Sequence, residues 1–339
     1  MRVKPLLSKI NPNTFIEDYL QAHGVEQTSL YLSPEEGCLD NPRFYPNMDK
    51  GTELLKQAVD DDWKIGLLVD VDCDGMCSAT IVRQFLNTQY NIDPVIYIRK
   101  GKAHGLRKSA SDDIVPKIIE DGCQLLIVPD AGSNDVDECQ ELALHKCQTL
   151  VLDHHKIEVD DFYSVVINHH LGKGLNTALS GTGVTAKFIE YYCQKYGLFI
   201  PYMDDLVAMS IISDSCDLTA LENRYYVHNG LHNVQNPLIQ AMLPSAVKRY
   251  GLTPTGYSWA MIPLINAVCR KEETDEKHEL FDAFSGHGDI ESALKMCRSA
   301  HRLQTETVKQ AVEDVEPTLD LGHKVIIGFC DSGLANQIG

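Results

Sequence analysis

Long apolar runs are missing from this sequence. No stretch approaches the ~20 consecutive apolar residues that a membrane-spanning helix needs, and the opening residues, MRVKPLLSKINPNTF, hold no apolar core of a secretory signal. Paired cysteines are missing too. The 11 cysteines are scattered without a CxxC pair, so neither a disulfide framework nor a structural zinc site is expected. Positive charge is scarce: 30 Lys and Arg stand against 48 Asp and Glu, a net charge of −18. A protein that grips long nucleic acid through a global basic field is thereby excluded. Phosphate chemistry then requires a local groove, or a metal that inverts the local sign. Together these absences predict a soluble, reduced, cytoplasmic protein.

What is present suits a globular chain: 339 residues, 44% hydrophobic and 23% charged, enough for one large domain or two ordinary ones. Residues 1–50 read as an irregular, partly helical lead-in, with weak helical patterning over Thr14–His23 and then a Pro- and Asn-rich stretch. From Lys64 the pattern becomes strand–helix alternation. The apolar runs KIGLLVDV, PVIYI, CQLLIVPD, QTLVLDHH and FYSVVINHH read as strands, separated by helical stretches. Near-continuous apolar strands of this kind predict an α/β fold with a parallel, doubly wound sheet covered on both faces, placed here over 51–217. Residues 218–320 read as helical. PTGYSWAMIPLINAVCR is expected to form one helix, and Ile290–Val315 one long connecting helix stopped by Pro317. Residues 321–339 begin a new strand and then stop, as the start of a truncated second domain would.

Chemistry-bearing residues gather at the ends of the predicted strands. The first group is LLVDVDCDG. If this segment is extended, Asp70, Asp72 and Asp74 share one face, and three ionised carboxylates there call for a divalent cation. An acidic loop capping a helix would explain the same residues. Asp130 closes a second strand before Ala131–Gly132, and Asp153, His154 and His155 close a third. Asp214 follows an apolar helix, with Asp217 close behind. The carboxyl ends of strands are where an open α/β sheet binds ligands. Between the first two groups lies the densest basic stretch, IRKGKAHGLRKS, with Arg99, Lys100, Lys102, His104, Arg107 and Lys108. It is expected at the same rim, as a loop for backbone phosphates. Ser180–Gly183 opens a helix whose free N–H groups could hold a phosphate, or be capped by Ser180 or Thr182. Tyr225, Tyr226 and Trp259 are expected in the core, base stacking being the alternative.

In this order the four motifs, D-x-D-x-D-G, Asp-x-Gly, Asp-His-His and a later Asp, resemble the DHH phosphoesterase superfamily. Within it the chain is most similar to RecJ-like single-strand DNA exonucleases; the lead-in and SGTGVTAKF share the likeness. The resemblance implies Asp72, Asp74, Asp130, His154 and Asp214 as metal ligands, with Asp130 bridging two metals. It implies Mn²⁺ or Mg²⁺, one or two ions, and a water nucleophile. His155 would be a ligand or touch the phosphate, and Asp70 and Asp153 would orient their neighbours. Arg99, Lys102, His104, Arg107 and His155 would contact substrate phosphate; Asn168 matches an Asn of the family. Two departures stand out: Leu68 occupies the place of a His that many members carry four residues before the first ligand, and His104 stands where a Tyr is common. The function implied is hydrolysis of single-stranded DNA, 5′-to-3′, in repair or recombination, with recombination or replication proteins as partners. A phosphodiesterase for short oligonucleotides or cyclic dinucleotides is the alternative enzyme. A non-catalytic scaffold is the alternative outside enzymes, disfavoured because every ligand acid is kept.

Overall fold

The computed structural model describes residues 11–109, 112–319, 322 and 325–327. Its five strands are β1 (Ile65–Val69), β2 (Val95–Ile98), β3 (Leu125–Pro129), β4 (Gln148–Leu152) and β5 (Ser164–Ile167). They form one sheet in the order β2-β1-β3-β4-β5, every neighbouring pair parallel. Each of the five expected apolar runs supplies one strand.

Fourteen helices appear among the described residues. They are α1 (Phe15–Ala22), α2 (Thr28–Leu32), α3 (Met48–Asp60), α4 (Cys73–Tyr90), α5 (Val115–Glu120), α6 (Val136–Leu144) and α7 (Gly181–Tyr196), followed by α8 (Asp204–Ser213), α9 (Leu221–His232), α10 (Pro237–Tyr250), α11 (Pro254–Ala260), α12 (Ile262–Cys269), α13 (Asp275–Ser285) and α14 (Ile290–Val315). None is long and apolar enough to cross a membrane.

The strands are buried on both faces, and their alternation divides the core. Leu67, Val69, Leu125, Ile127, Leu150 and Leu152 face one cluster with Met76 of α4 and Phe188 of α7. Leu68, Leu126, Val128 and Val151 face the other, with Ile118 of α5 and Leu142 of α6. Period-two side-chain direction with mostly apolar residues pointing both ways leaves neither face of the sheet centre for water. The chain leaves β1 for β2 on one side and reaches β3 on the other. The crevice beyond the carboxyl ends of β1 and β3 is therefore the switch point of the sheet, where such folds bind ligands.

Two expectations are corrected. The segment over 254–270 is two helices, because Pro263 stands in the first turn of α12, where its missing N–H is tolerated, whereas inside a continuous helix it would remove a bond and clash. Helix α3 begins at Met48, inside the stretch expected to be irregular lead-in. The long helix α14 runs over Ile290–Val315 as its pattern requires. The strand expected after 321 lies almost wholly outside the described residues.

Candidate metal and phosphate site

Strand β1 stops at Val69, so the acidic group is not extended throughout as its alternation suggests. Asp72 is the N-cap of α4, its carboxylate accepting the Gly75 N–H at 2.9 Å. Asp74 sits in the first helical turn and is fully buried. The three acids converge because a sharp turn folds the helix start back over the strand end. Gly75 makes that turn possible: a Cβ there would stand 2.6 Å from the Asp70 carbonyl oxygen.

Asp74 explains the SGTG segment. The N–H groups of Gly181 and Thr182 donate to its carboxylate at 2.9 and 2.8 Å, and the Thr182 hydroxyl adds a third bond. The amino end of α7, which the sequence offered to a phosphate, is thus taken by a carboxylate of the chain itself, as a helix dipole favours. Ser180 caps the same helix through the Gly183 N–H.

Asp130 follows β3 in the left-handed backbone region (φ 63°), an uncommon conformation for a residue with a side chain. Its N–H donates to the Leu152 carbonyl at 2.8 Å, which locks the turn to β4. His154 Nε2 faces three carboxylates: Asp130 Oδ1 at 3.3 Å, Asp214 Oδ2 at 3.5 Å and Asp74 Oδ2 at 3.9 Å. Asp130 Oδ1 and His154 Nε2 are both buried without a hydrogen-bond partner. Such orphaned atoms, pointing at one another amid carboxylates, are what a cation would satisfy. Donor atoms of Asp70, Asp72 and Asp130 gather within 4.8 Å of one another, as do those of Asp74, His154 and Asp214, and of Asp130, Asp153, His154 and His155.

The electrostatics agree with that geometry. Burial, then the charges of Asp70 and Asp74, raise Asp72 to about 7. Burial, then Asp74 and Asp72, raise Asp214 to about 8. Asp130 is pushed well above the usual carboxylate range by burial and the same neighbours. Without a cation the cluster must hold protons; with one it can ionise. Burial lowers His154, keeping its imidazole neutral and able to act as a ligand. The donor set, carboxylates with an imidazole, suits Mn²⁺ or Mg²⁺. Cys73 and Cys77 beside it are buried, and burial drives the Cys77 thiol up, away from nucleophilic use.

Two aspartates at the edge of this centre hold its neighbours. Asp153 Oδ1 accepts the backbone N–H groups of His154 and His155 and stands 2.7 Å from His155 Nδ1, while Oδ2 accepts the Ser133 N–H. Burial alone would raise its pKa, but these bonds, led by His155, hold it far below the usual value. Asp70 stands 2.7 Å from His104 Nδ1 and accepts the Gly105 N–H at 3.1 Å. Burial disfavours the His104 imidazolium, yet Asp70 outweighs it and raises His104 to about 9. The rings of His104 and His155 lie 4.7 Å apart, edge to face, each half-exposed with Nδ1 engaged by a buried carboxylate.

In the basic loop, Lys102, His104 and Arg107 are exposed at this rim; Arg107 pairs with Asp135 Oδ1 at 3.1 Å. Arg99 is a correction. It is fully buried, and its guanidinium is consumed by the Asp112 carboxylate and by the carbonyls of Gly105, Arg107 and Asp112. It shapes the loop and cannot touch phosphate. Asn168 is likewise structural, donating to Ser133 Oγ and the His155 carbonyl. Tyr225 and Tyr226 are buried, whereas Trp259, expected in the core, is 69% exposed.

Residues 64–211 match the model of the DHH family, N-terminal domain. An SPbeta prophage-derived protein of Bacillus subtilis (strain 168), provisionally named single-strand DNA-specific exonuclease YorK, is 28% identical over 274 residues, 78% of this chain and 46% of that protein. The single-stranded-DNA-specific exonuclease RecJ of the same organism is 23% identical over 334 residues, 93% of this chain and 41% of that one. The chain thus spans about half the length of the curated relatives it matches. Among solved structures, exonuclease RecJ bound to manganese superposes with a TM-score of 0.71 at 20% identity, over 84% of this chain and 71% of that one. RecJ in complex with Mn²⁺ from Thermus thermophilus gives 0.74 at 18% identity, over 91% and 44%. The acids gathered at the switch point and the ordered motifs lie largely within the segment that matches the DHH family model, and in sequence and fold the chain is similar to RecJ exonucleases.

Proposed function

We propose that this chain hydrolyses phosphodiester bonds of single-stranded DNA in a metal-dependent reaction, as an exonuclease. The reading is carried by the orphaned pair Asp130 Oδ1 and His154 Nε2, buried amid carboxylates that cannot all ionise without a cation. Asp72, Asp74, Asp130, His154 and Asp214 would hold Mn²⁺ or Mg²⁺. Bound there, a divalent ion supplies an activated water and stabilises the leaving oxygen.

The chain's own groups do the rest. Asp153 fixes His154 and His155 through their backbone and ring N–H groups. Asp70 fixes His104. With Nδ1 engaged, His104 and His155 each keep Nε2 for a phosphate oxygen, and Lys102 and Arg107 extend the cationic rim along the backbone. A net charge of −18 makes this local patch the means of attracting a polyanion. We read residues 51–217 as the catalytic core and 218–320 as a helical part with a connecting helix.

The test is incubation of the protein with 5′-labelled or 3′-labelled single-stranded DNA, and separately with dinucleotides, with and without Mn²⁺. Stepwise Mn²⁺-dependent release from the 5′ end is expected, and its loss in Asp130→Ala. Hydrolysis of dinucleotides alone would transfer the assignment to the short-substrate phosphodiesterase. No metal-dependent hydrolysis of any of them would refute the proposal.

A further inference from the structure

Lys277 of α13 is fully buried, an unusual place for an ammonium group. Burial depresses its pKa. Its hydrogen bonds go to two main-chain carbonyls, those of Arg99 at 2.9 Å and Gly101 at 2.8 Å. Both belong to the base of the basic loop. The contrast with the other buried lysine is instructive. Lys187 lies 2.7 Å from the buried Glu222 carboxylate, an ordinary internal ion pair. Lys277 instead spends its charge on the shape of a loop more than 170 positions earlier in the chain.

A second buried cation grips the same loop further along. Arg99 donates to the carbonyls of Gly105 and Arg107 and to Asp112. Two internal cations thus turn four carbonyls of this loop inward, and Lys100, Lys102, His104, Arg107 and Lys108 stand at least partly exposed. The Gly101 N–H completes the latch by donating to the Glu272 carbonyl at 3.1 Å. The helix carrying Lys277 is itself fastened to the core. Arg83 of α4 reaches Asp282 at 2.6 Å and Ser285 at 2.9 Å. The latch therefore has a rigid base on the helix that starts at Asp72 and Asp74.

We propose that Lys277 is a positioning residue for substrate: it holds the loop of residues 99–108 in the shape that presents Lys102, His104 and Arg107 to the phosphate backbone. The inference rests on the proposed nuclease reading. It makes α13, a helix far outside the four motifs, part of the substrate-binding apparatus. A cation gripping carbonyls from inside controls how the outer charges are aimed.

The experiment compares wild type, Lys277→Met and Asp112→Asn on two Mn²⁺-dependent substrates: a single-stranded oligonucleotide, and bis(p-nitrophenyl) phosphate, a single diester with no flanking backbone phosphates for Lys102 and Arg107 to hold. Hydrogen exchange of the 99–108 amides is measured alongside. For Lys277→Met the oligonucleotide KM should rise about tenfold with kcat little changed, while turnover of the small diester stays within about twofold. The loop amides should exchange faster and those of the sheet should not. Asp112→Asn, which loosens Arg99 from the same loop, should show the same split, and it decides the matter if Lys277→Met fails to fold. An unchanged oligonucleotide KM, an equal loss on both substrates, or unchanged loop exchange would overturn the inference. If wild type cleaves neither substrate, the nuclease reading fails, and hydrogen exchange alone judges the latch.

Discussion

Asp72→Asn separates the cost of the acidic cluster from its use. In the metal-free protein, burial and the charges of Asp70 and Asp74 raise Asp72 from 3.8 to about 7. At 1.36 kcal/mol per pH unit that rise corresponds to ~4 kcal/mol of destabilisation above pH 7. Asp72 is partly exposed, and solvent screening and relaxation bring the expected gain on neutralising it to ~1–2 kcal/mol. Asparagine keeps the cap on α4, because its amide oxygen can accept the Gly75 N–H as the carboxylate does. The variant should therefore melt about 1–3 °C above wild type at pH 8 in EDTA. The sign follows from proton binding. Between about pH 4 and pH 7 folded wild type holds a proton on Asp72 that the unfolded chain has released, so its stability falls as pH rises through that window. The gap between the two proteins should shrink as pH is lowered toward 4. With Mn²⁺ the order should reverse, because only wild type gains fully from the ion. Differential scanning fluorimetry across pH, with EDTA or Mn²⁺, measures all of this. A variant that melts below wild type in EDTA at pH 8 would refute the reasoning.

Three further outcomes follow. Gly181→Ala drives a Cβ into Asp130 Oδ1 and to 2.7 Å from its Cγ, so the carboxylate must move; Mn²⁺ affinity by calorimetry should fall about tenfold or more, comparable to disturbing a ligand's support, and unchanged affinity would show that Asp130 is not a ligand. Lys187→Met strands the Glu222 carboxylate, whose hydrogen bonds join the lead-in at Asp40 to α7 and α9; urea melts should show a loss of ~3–5 kcal/mol while Mn²⁺ affinity holds. Metal binding at pH 7 should release protons, since Asp214 and Asp130 hold them in the metal-free state; calorimetric heats independent of buffer ionisation enthalpy would contradict this.

The sheet was legible because its strands are short apolar runs with no competing helical period, and three of them, β1, β3 and β4, run directly into an aspartate. The convergence of Asp130, His154 and Asp214 was legible only as motifs in order, since nothing local in the sequence brings 130 beside 214. Local pattern misled where tertiary contacts decide. The alternation of Asp70, Asp72 and Asp74 suggested a strand face, whereas a bend at Val71–Asp72, with Gly75 allowing the close approach of α4, brings them together. Arg99 looked like its exposed neighbours because a charge run does not show which member points inward. The free N–H groups at Gly181 and Thr182 looked available because their partner, Asp74, is 107 and 108 positions away. Lys277 was missed for the same reason. The one lysine in the acidic stretch ETDEKHE reads as an exposed helix face, and only tertiary packing, with its ammonium against the Arg99 and Gly101 carbonyls, buries it.

The most direct measurement is anomalous scattering at the manganese edge from crystals grown with Mn²⁺. Density is expected between the Asp74, Asp130 and Asp214 carboxylates and His154 Nε2, and none there in His154→Ala crystals treated alike. An empty cluster in wild-type crystals, with manganese bound elsewhere or nowhere, would contradict it.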